Sequence, residues 1–342
     1  MEYILNKLPV KTTNNFKVND LKIDLEIPDI KNRSGFVIDN NKLDITQEVI
    51  NKKMVSKIGL EFSKFLNINI TIPKNTKIDE SIILEYDFND DDSLVDMLNI
   101  NYEENSLCNL VIIYKSNDNG NHFHHLLSKI KGGTNSRGNI TYINLLNDVS
   151  NNFVAIENDL LDNSFITNNV IDIGANLKVN NIYSDTYKEA TSCLNNIYLG
   201  FRENIIDMNY YMNNIGENSK NIMRVEGAID DNTKKVFRGT IDFKGGCKGS
   251  IGDENENCVL LSDNVISRSL PQMLCHEEDV VGSHGVSSGK VDEDKLFYIM
   301  THGYSKKEAE KLIVMANFSK ILNNINDKEI REEIISIIEE KI

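Results

Sequence analysis

Residues 170–183, VIDIGANLKVNNIY, show the pattern that decides the fold of this chain. Short apolar and β-branched runs are interrupted there by Asp, Gly and Asn, which tolerate left-handed backbone and form turns. Similar segments recur on both sides: CNLVIIYK from Cys108, NITYINLL from Asn139, FVAIEN from Phe153, NIYLGF from Asn196, IMRVEGAI from Ile222, KVFRGTIDF from Lys235 and VLLSD from Val259. Many short strands without long helices between them predict an all-β sandwich, barrel or β-helix.

No proline lies between Pro73 and Pro271. Proline is excluded from central strands because it lacks a backbone donor, so this stretch is compatible with continuous sheet. The abundant Asn would suit a parallel β-helix, in which Asn side chains on inward corners can stack into hydrogen-bonded ladders. The segments follow no clean fixed period, and the choice of a β-helix therefore does not follow from repeats.

The N-terminal flank has a helical pattern. Asp44 is placed to cap a helix, with Gln47 three residues further on. Apolar residues then follow at three- and four-residue intervals, namely Ile45, Val49, Ile50, Met54, Ile58, Phe62 and Phe65. The next segment, NINITIPKN, predicts a strand that runs into a turn at Pro73.

Three capped helices are predicted at the C-terminal end. Asp292 precedes EDKLFYIMTH, and Gly303 stands where that helix should end. Ser305 and Glu308 form a capping box, and Asp327 begins the last helix. Three regions are predicted in this way: a helix-containing N-terminal region (1–100), a β core (101–290) and a helical C-terminal region (291–342).

Composition limits the partners and the compartment. The 342 residues carry a net charge of −15, which argues against nucleic acid and anionic membrane surfaces as partners. We expect a cytoplasmic protein, because the N-terminus has no secretory pattern and no apolar run is long enough to cross a bilayer. The five Cys are scattered and never spaced as CxxC, which fits reduced thiols.

The richest group of candidate ligands lies in residues 271–304, PQMLCHEEDVVGSHGVSSGKVDEDKLFYIMTHGY. It contains Cys275, His276, Glu277, Glu278, Asp279 and His284. Thiolate and imidazole beside carboxylates suit a transition metal or an iron–sulfur species. The alternative is a strand end and an acidic loop with one structural His.

Two other motifs favour structural roles. His122, His124 and His125 form a run that is predicted to lie at a polar hairpin tip, where two imidazoles alone would bind metal weakly. GGCKGS, from Gly245, lacks the frame of a phosphate-binding loop and is interpreted as a turn between coils of sheet.

The order FRGTIDF, CVLLSD and EEDVVGSHGVSSGKVDEDKLFYIMTHGYSKKEAEKLIVMANF resembles the C-terminal half of the SufB/SufD family, and the SHG motif is of the SufD-like version. These proteins are the scaffold subunits of SUF iron–sulfur cluster assembly. The resemblance implies a right-handed parallel β-helix core with helical N- and C-terminal parts. It also implies docking of a SufC-like ABC ATPase through the C-terminal helices. A further implication is a homodimer, or a heterodimer with a SufB-like subunit, with the cluster near that interface.

The resemblance also suggests the ligands. His284 matches the His associated with cluster assembly, Cys258 approximates a SufB-type Cys, and Cys275 lies where an aliphatic residue is usual. We expect these three residues to hold iron or a transient iron–sulfur cluster, with no turnover chemistry of the chain's own. Supporting carboxylates would be Glu277, Glu278 and Asp279, of which Glu278 is also a candidate metal ligand.

Two departures from the family pattern bear on this ligand set. Gly282 stands where SufD-like chains often have Cys, and Ser283 and Gly285 stand where SufB-like chains have Glu. The choice between a scaffold and a companion subunit stays open on these residues. Two other functions also remain: a β-helix enzyme that acts on polysaccharide through paired carboxylates, and a passive structural β-helix.

Overall fold

The computed structural model describes residues 1–12, 14–30, 36 and 43–342, and it shows a parallel β-solenoid of about 8 turns. The strands before the solenoid are β1 (Glu2–Leu5), β2 (Leu21–Asp24), β3 (Asp44–Ile50), β4 (Met54–Val55) and β5 (Glu61–Phe62). The strands of the solenoid are β6 (Phe65–Ile72), β7 (Lys77–Phe88), β8 (Ser93–Tyr102), β9 (Leu107–Ser116), β10 (Phe123–Gly132), β11 (Arg137–Leu145), β12 (Asn151–Leu160), β13 (Phe165–Asp172), β14 (Leu177–Thr186), β15 (Thr191–Gly200), β16 (Ile205–Asn214), β17 (Lys220–Ile229), β18 (Lys234–Phe243), β19 (Ile251–Leu260), β20 (Ile266–Cys275) and β21 (Val281–Lys290). The helices are α1 (Glu293–Thr301), α2 (Lys306–Leu322) and α3 (Lys328–Lys341), and a short 3₁₀ helix covers Asn14–Phe16.

Each coil of the solenoid contributes one strand to each of two sheets. The even-numbered strands β6 to β20 form the even sheet, which β3 extends at one edge, and the odd-numbered strands β7 to β21 form the odd sheet. Neighbouring solenoid strands pair in parallel, whereas β3 pairs antiparallel with β6. Side chains alternate between the interior and the outer face, so one continuous apolar core runs between the sheets. The strands predicted in the proline-free stretch are confirmed.

The coils differ in length, and for this reason the sequence shows no fixed period. Phe123 pairs with Asn151, and Asn151 pairs with Leu177 on the next coil, which is slightly shorter. Near the C-terminal end the coil from Lys234 to its register partner Ile266 is longer than either. The differences lie mainly in the turns, because most of the solenoid strands have similar lengths.

Asparagine ladders stabilise one corner of the solenoid. Asn75, Asn105, Asn135 and Asn163 all have φ between 54° and 61°, a region that Asn tolerates better than most residues. The side-chain amide of Asn105 donates to Asn75, that of Asn135 to Asn105, and that of Asn163 to Asn135, over 2.7–3.1 Å. The expectation of Asn ladders at a corner is confirmed, but the expected inward orientation is wrong, because these rungs are exposed to solvent.

The last two helices, α2 and α3, cover the outer face of the odd sheet. Phe318 of α2 and Ile334 of α3 pack in one cluster with strand residues such as Ile143 and Ile197. The predicted caps are confirmed: Asp292, Ser305 and Asp327 are the N-caps of the three helices. In addition, Glu308 completes the capping box of α2, and Gly303 has φ +96° just after α1.

The helix predicted from Asp44 to Phe65 is wrong. Residues Asp44–Ile50 form β3, which lies against the edge of β6 with Ile45 opposite Ile70. β4 and β5 then pair antiparallel with each other. The β-branched residues that formed the apolar stripe also favour a strand, and hydrogen bonding to an open sheet edge outweighs the local helical pattern. The helical N-terminal part of the expected fold is therefore replaced by strands in the described residues.

The N-terminal segment crosses the outer face of the even sheet, and we call residues 1–12 and 14–25 the N-terminal strap. The Asn6 amide donates to Asp207 Oδ1 over 2.7 Å and to the Asn180 carbonyl over 3.1 Å. The guanidinium of Arg238 donates to both carboxylate oxygens of Asp207 and to the Val18 carbonyl. These buried contacts fix the strap to strands β14, β16 and β18.

Candidate functional site

The last coil, formed by β20 and β21, is the open end of the solenoid. β20 ends the even sheet and β21 ends the odd sheet, so within the described chain neither outer edge pairs with another strand. The side chains of Ile266, Val281 and Val286 are exposed on this coil. Unpaired strand edges with exposed apolar side chains are typical of surfaces that pair with another chain.

His284 lies in the middle of this coil. It is exposed on β21 and stands opposite Glu254 of β19 in the parallel register. Register partners in neighbouring strands share a face of the sheet, and Glu254 is buried. The His284 side chain therefore continues the inward-facing row of the odd sheet at the point where the interior opens to solvent.

Cys258 lies beneath the last coil. Its side chain is 1% exposed and belongs to the interior cluster, with Ser288 as its register partner on β21. Burial raises the pKa of the Cys258 thiol, while the nearby Lys235 ammonium lowers it. Four positions separate Cys258 from Glu254 along β19, about 13 Å at the usual rise of a strand. Cys258 and His284 are consequently not in contact in this state.

Cys275 and the acidic residues lie at another corner of the coil. Cys275 ends β20, is exposed, and has its sulfur 3.0 Å from the Glu277 carbonyl oxygen. Backbone N–H groups of Gly246 and Glu278 donate to the Glu277 carboxylate and lower its pKa. Glu278 and Asp279 are exposed, and Asp279 lies 3.7 Å from Lys248.

The predicted ligands are therefore spread over the last two coils. Across the residues that the structure describes, no three His, Cys, Asp or Glu side chains converge as a metal site. His284, Cys258, Cys275 and Glu278 remain predicted ligands for an assembled complex. A second subunit or a movement of the last coil would have to bring them together.

A buried ionic network under the last coil was missed from the sequence. The Lys235 ammonium lies 2.6 Å from Glu256 Oε1, and both side chains are fully buried. The hydroxyls of Tyr198 and Ser269 also donate to Glu256, each over 2.8 Å. The alternation in GDENENC from Gly252 was the available signal, because Glu254, Glu256 and Cys258 occupy every second position of β19.

Glu254 has an unusual environment. Both of its carboxyl oxygens are buried and have no hydrogen-bond partner among the described residues. Burial, and then the neighbouring charge of Glu256, raises the pKa of Glu254 to about 8. Glu254 packs over Gly239, where an added Cβ would collide with its Oε1. A protonated carboxyl group thus lies next to His284 in the inward row at neutral pH.

The histidine run is not a polar hairpin tip, and that prediction is wrong. His124 and His125 are fully buried at the start of β10, and His122 is fully buried just before it. His124 lies between Asn152 Oδ1, at 2.7 Å, and Asp96 Oδ1, at 3.1 Å. His125 lies 2.9 Å from the Ser56 hydroxyl, and burial lowers its pKa to about 3. The alternation of inward and outward positions separates His125 from His122 and His124, which both contact the Phe88 ring. By contrast, the turn predicted at GGCKGS is confirmed, between β18 and β19.

The first C-terminal helix presents a second exposed surface. α1 has no buried residue, whereas α2 and α3 bury their apolar stripes on the odd sheet. Phe297 is 69% exposed and Tyr298 65% exposed, and Tyr304 and Leu312 are also exposed further along the chain. A cavity of about 360 Å³ lies beside them, lined by Asp294, Lys295, Tyr298, Ile299 and Ile313. We call Phe297 and Tyr298 the α1 surface.

Comparison with known proteins gives a consistent match. The family model described as "SUF system FeS cluster assembly, SufBD core domain" matches residues 87–317. The iron–sulfur cluster assembly protein SufD of Bacillus subtilis is 24% identical over 163 residues, 47% of this chain and 36% of the relative. SufD of Escherichia coli is 22% identical over 201 residues, 57% of this chain and 47% of the relative. An iron–sulfur cluster assembly SufBD family protein of Pyrococcus horikoshii is 30% identical over 132 residues, 39% of this chain and 29% of the relative.

The matched segments span about a third to a half of the length of these relatives. Among the described residues, no helix combines the length and the apolar character needed to cross a membrane.

Proposed function

Because this chain belongs to the SufB/SufD family and is SufD-like, we propose that it is a cytoplasmic, non-catalytic subunit of a SUF iron–sulfur assembly complex. Its cargo would be iron or a transient iron–sulfur cluster, and a SufC-like ABC ATPase would supply the energy. The observation that carries this proposal is the open last coil, in which His284 stands exposed at the end of the inward row. The match to the SufBD core domain includes this coil.

The open edges of β20 and β21 support pairing with a second subunit. A second copy of this chain, or a SufB-like subunit, would extend both sheets by adding strands to these edges. Such pairing would cover Ile266, Val281 and Val286, which are exposed in the isolated chain. His284 would then lie within the interface, where ligands from a partner could complete a coordination sphere.

Cys258 would enter the site only after a rearrangement. Thiolate is the form that binds metal, and burial disfavours it at present. The neighbouring Lys235 ammonium favours the thiolate, so displacement of the last coil would leave a thiol that is easier to ionise. Cys275 is already exposed and could meet cargo directly. We therefore propose His284 and Cys275 as the first contacts for iron, and Cys258 as a later ligand.

The α1 surface is the proposed contact for the ATPase within the C-terminal helical region. α2 and α3 already bury their apolar residues against the odd sheet, so their packed faces are not free for a partner. Phe297 and Tyr298 are large aromatic side chains with most of their surface exposed, and such residues dominate the energetics of many interfaces. A neighbouring apolar cavity could accept a side chain of the partner.

The test is anaerobic co-expression with a SufC-like ATPase and a SufB-like subunit from one genome, followed by affinity purification and visible absorption spectroscopy. We expect His284→Ala to reduce the absorption of the bound cluster while the complex still assembles. His276→Ala is the matched control, because it removes another exposed imidazole from the neighbouring loop. Equal cluster absorption in wild type and His284→Ala would contradict the role of His284.

A second arm tests the docking surface. Phe297→Ser combined with Tyr298→Ser should abolish co-purification of the ATPase without changing the circular dichroism spectrum. Phe16→Ser is the control, because Phe16 is 61% exposed on the distant N-terminal strap. Retention of the ATPase by the double variant would refute docking through α1, and it would leave the assignment of the last coil intact.

A further inference from the structure

A cavity outside the proposed site lies between the N-terminal strap and the outer face of the even sheet. Its volume is about 630 Å³, within the range of small-molecule sites. We call it the strap groove. Its lining consists of Lys17, Asn19, Asp20, Leu21, Lys22, Ile205, Ile206, Asp207, Lys234, Val236 and Arg268.

Both walls of the strap groove are held by buried polar contacts. On the strap side, the Val18 carbonyl accepts a hydrogen bond from Arg238, and the Leu8 N–H donates to the Asn19 carbonyl over 2.8 Å. On the sheet side, Asp207 is fixed by Arg238 and by the Asn6 amide. A groove with fixed walls requires little ordering when a ligand binds, which favours affinity.

Four cations surround the strap groove, and none of them has an acidic partner among the described residues. Lys17 and Lys22 come from the strap, and Lys234 and Arg268 come from β18 and β20. In the part of the chain that the structure describes, no carboxylate oxygen lies within 4.0 Å of any of their charged nitrogens. Asp207 already forms an ion pair with Arg238, which leaves Asp20 as the remaining acidic residue of the lining. This concentration of positive charge stands out in a chain of net charge −15.

The floor of the groove is apolar. Leu21 lines it from the strap, and Ile205 and Val236 line it from the sheet, whereas the side chain of Ile206 belongs to the interior core. Inorganic phosphate alone would leave this surface without a ligand contact. A ligand that carries several negative charges at one end and an uncharged ring at the other would use both features.

We propose that the strap groove binds a nucleoside di- or triphosphate. Its phosphates would lie among Lys17, Lys22, Lys234 and Arg268, and its nucleoside would lie on the apolar floor. Lysine provides point charges for phosphate, and arginine can form paired hydrogen bonds with it. This site lies on the strap side of β16 and β18 and does not use any residue of the proposed cargo site, so it stands independently of that proposal.

Isothermal titration calorimetry of the full chain with ADP, pyrophosphate and adenosine tests the assignment. We expect ADP to bind more tightly than pyrophosphate, because only ADP contacts the floor, and we expect no measurable binding of adenosine. Lys22→Glu combined with Lys234→Glu should weaken ADP binding at least about tenfold, equivalent to about 1.4 kcal/mol. These two exposed lysines lie on opposite walls of the groove.

The control is Lys129→Glu combined with Lys131→Glu, which makes the same change of charge at two exposed positions elsewhere on the even sheet. An equal loss of ADP affinity in both double variants would show a general effect of net charge and would refute the proposed location of the site. Pyrophosphate binding as tightly as ADP would refute the role of the floor. Absence of ADP binding to the wild-type chain would refute the proposal outright.

Discussion

The buried pair of Lys235 and Glu256 allows the energetics beneath the last coil to be measured. Lys235 Nζ lies 2.6 Å from Glu256 Oε1, and neither side chain has exposed surface. The Ser269 hydroxyl accepts a hydrogen bond from Lys235 over 2.9 Å and donates one to Glu256 over 2.8 Å. Lys235→Met keeps most of the length of the side chain and removes its charge. Glu256 would then be buried with only the hydroxyls of Tyr198 and Ser269 as donors.

Removing one member of a buried ion pair costs about 3–5 kcal/mol, because the other charge is left uncompensated. We expect about 3 kcal/mol for Lys235→Met, the lower end of that range, since two hydroxyl donors remain. Urea denaturation followed by circular dichroism measures this loss as a lower midpoint with an unchanged slope. Lys235→Met combined with Glu256→Leu should recover at least half of it, because apolar replacement of both partners is often neutral.

Lys234→Met is the matched control, because Lys234 is the exposed neighbour of Lys235 on β18. Its free energy of unfolding should stay within about 0.5 kcal/mol of the wild type. A loss below about 1 kcal/mol for Lys235→Met would refute the reasoning, because it would mean that the pair is hydrated in solution. A double variant as unstable as the single one would also refute it, because the loss would then not come from the uncompensated charge of Glu256.

Three further predictions concern other parts of the chain. The folded state raises the pKa of Glu254 from 4.5 to about 8, so between these pH values the folded chain keeps a proton that the unfolded chain releases. The free energy of unfolding should therefore fall by roughly 1.4 kcal/mol for each unit by which the pH rises through this range. Glu254→Gln should remove that dependence in urea titrations at several pH values. Asn135→Ala should cost about 1–3 kcal/mol in the free energy of unfolding, because Ala is strained at φ +59° and two ladder hydrogen bonds are lost. Asn135→Gly should lose only the hydrogen bonds. Equal losses for the two variants would exclude backbone strain as the cause. Phe318→Ala should lower the free energy of unfolding by about 3–5 kcal/mol, because it leaves a cavity between α2 and the odd sheet. The same change at the exposed Leu312 should cost much less. Similar losses for the two variants would show that the helices do not pack there.

The sequence predicted the β core well because the signal there is local. Strands such as β11 and β17 carry β-branched residues bounded by turn residues, and the parallel pairing adds to that preference. The helix predicted in the N-terminal region was wrong for the opposite reason, because the structure there depends on a contact that is not local. Ile45, Val49 and Ile50 satisfy both a helical stripe and a strand, and the decision comes from the free edge of β6, which no local pattern reveals.

The candidate site was only partly predictable. The chemistry of His284 and Cys275 is visible in the sequence, as is their position near the end of the solenoid. The burial of the Cys258 side chain depends on which face of β19 turns inward. That orientation is set by the pairing of β19 with β17 and β21. The pairing of Lys235 with Glu256 joins strands of the two different sheets, so it requires the coil lengths, which vary from turn to turn.

The two proposed contact surfaces are joined by very little chain. β21, which carries His284, ends at Lys290, and α1 begins at Glu293 after Val291 and the cap Asp292. Among the described strands β21 pairs with β19 alone, and α1 buries none of its own residues. In the proposed complex, an ATPase bound to α1 would therefore act directly on a terminal strand of the solenoid, which is paired along one edge only. Movement of that strand would uncover Cys258, whose register partner on β21 is Ser288. If the proposed complex forms, the same short connection would link motion of the ATPase to exposure of the buried thiol without a separate relay through the core.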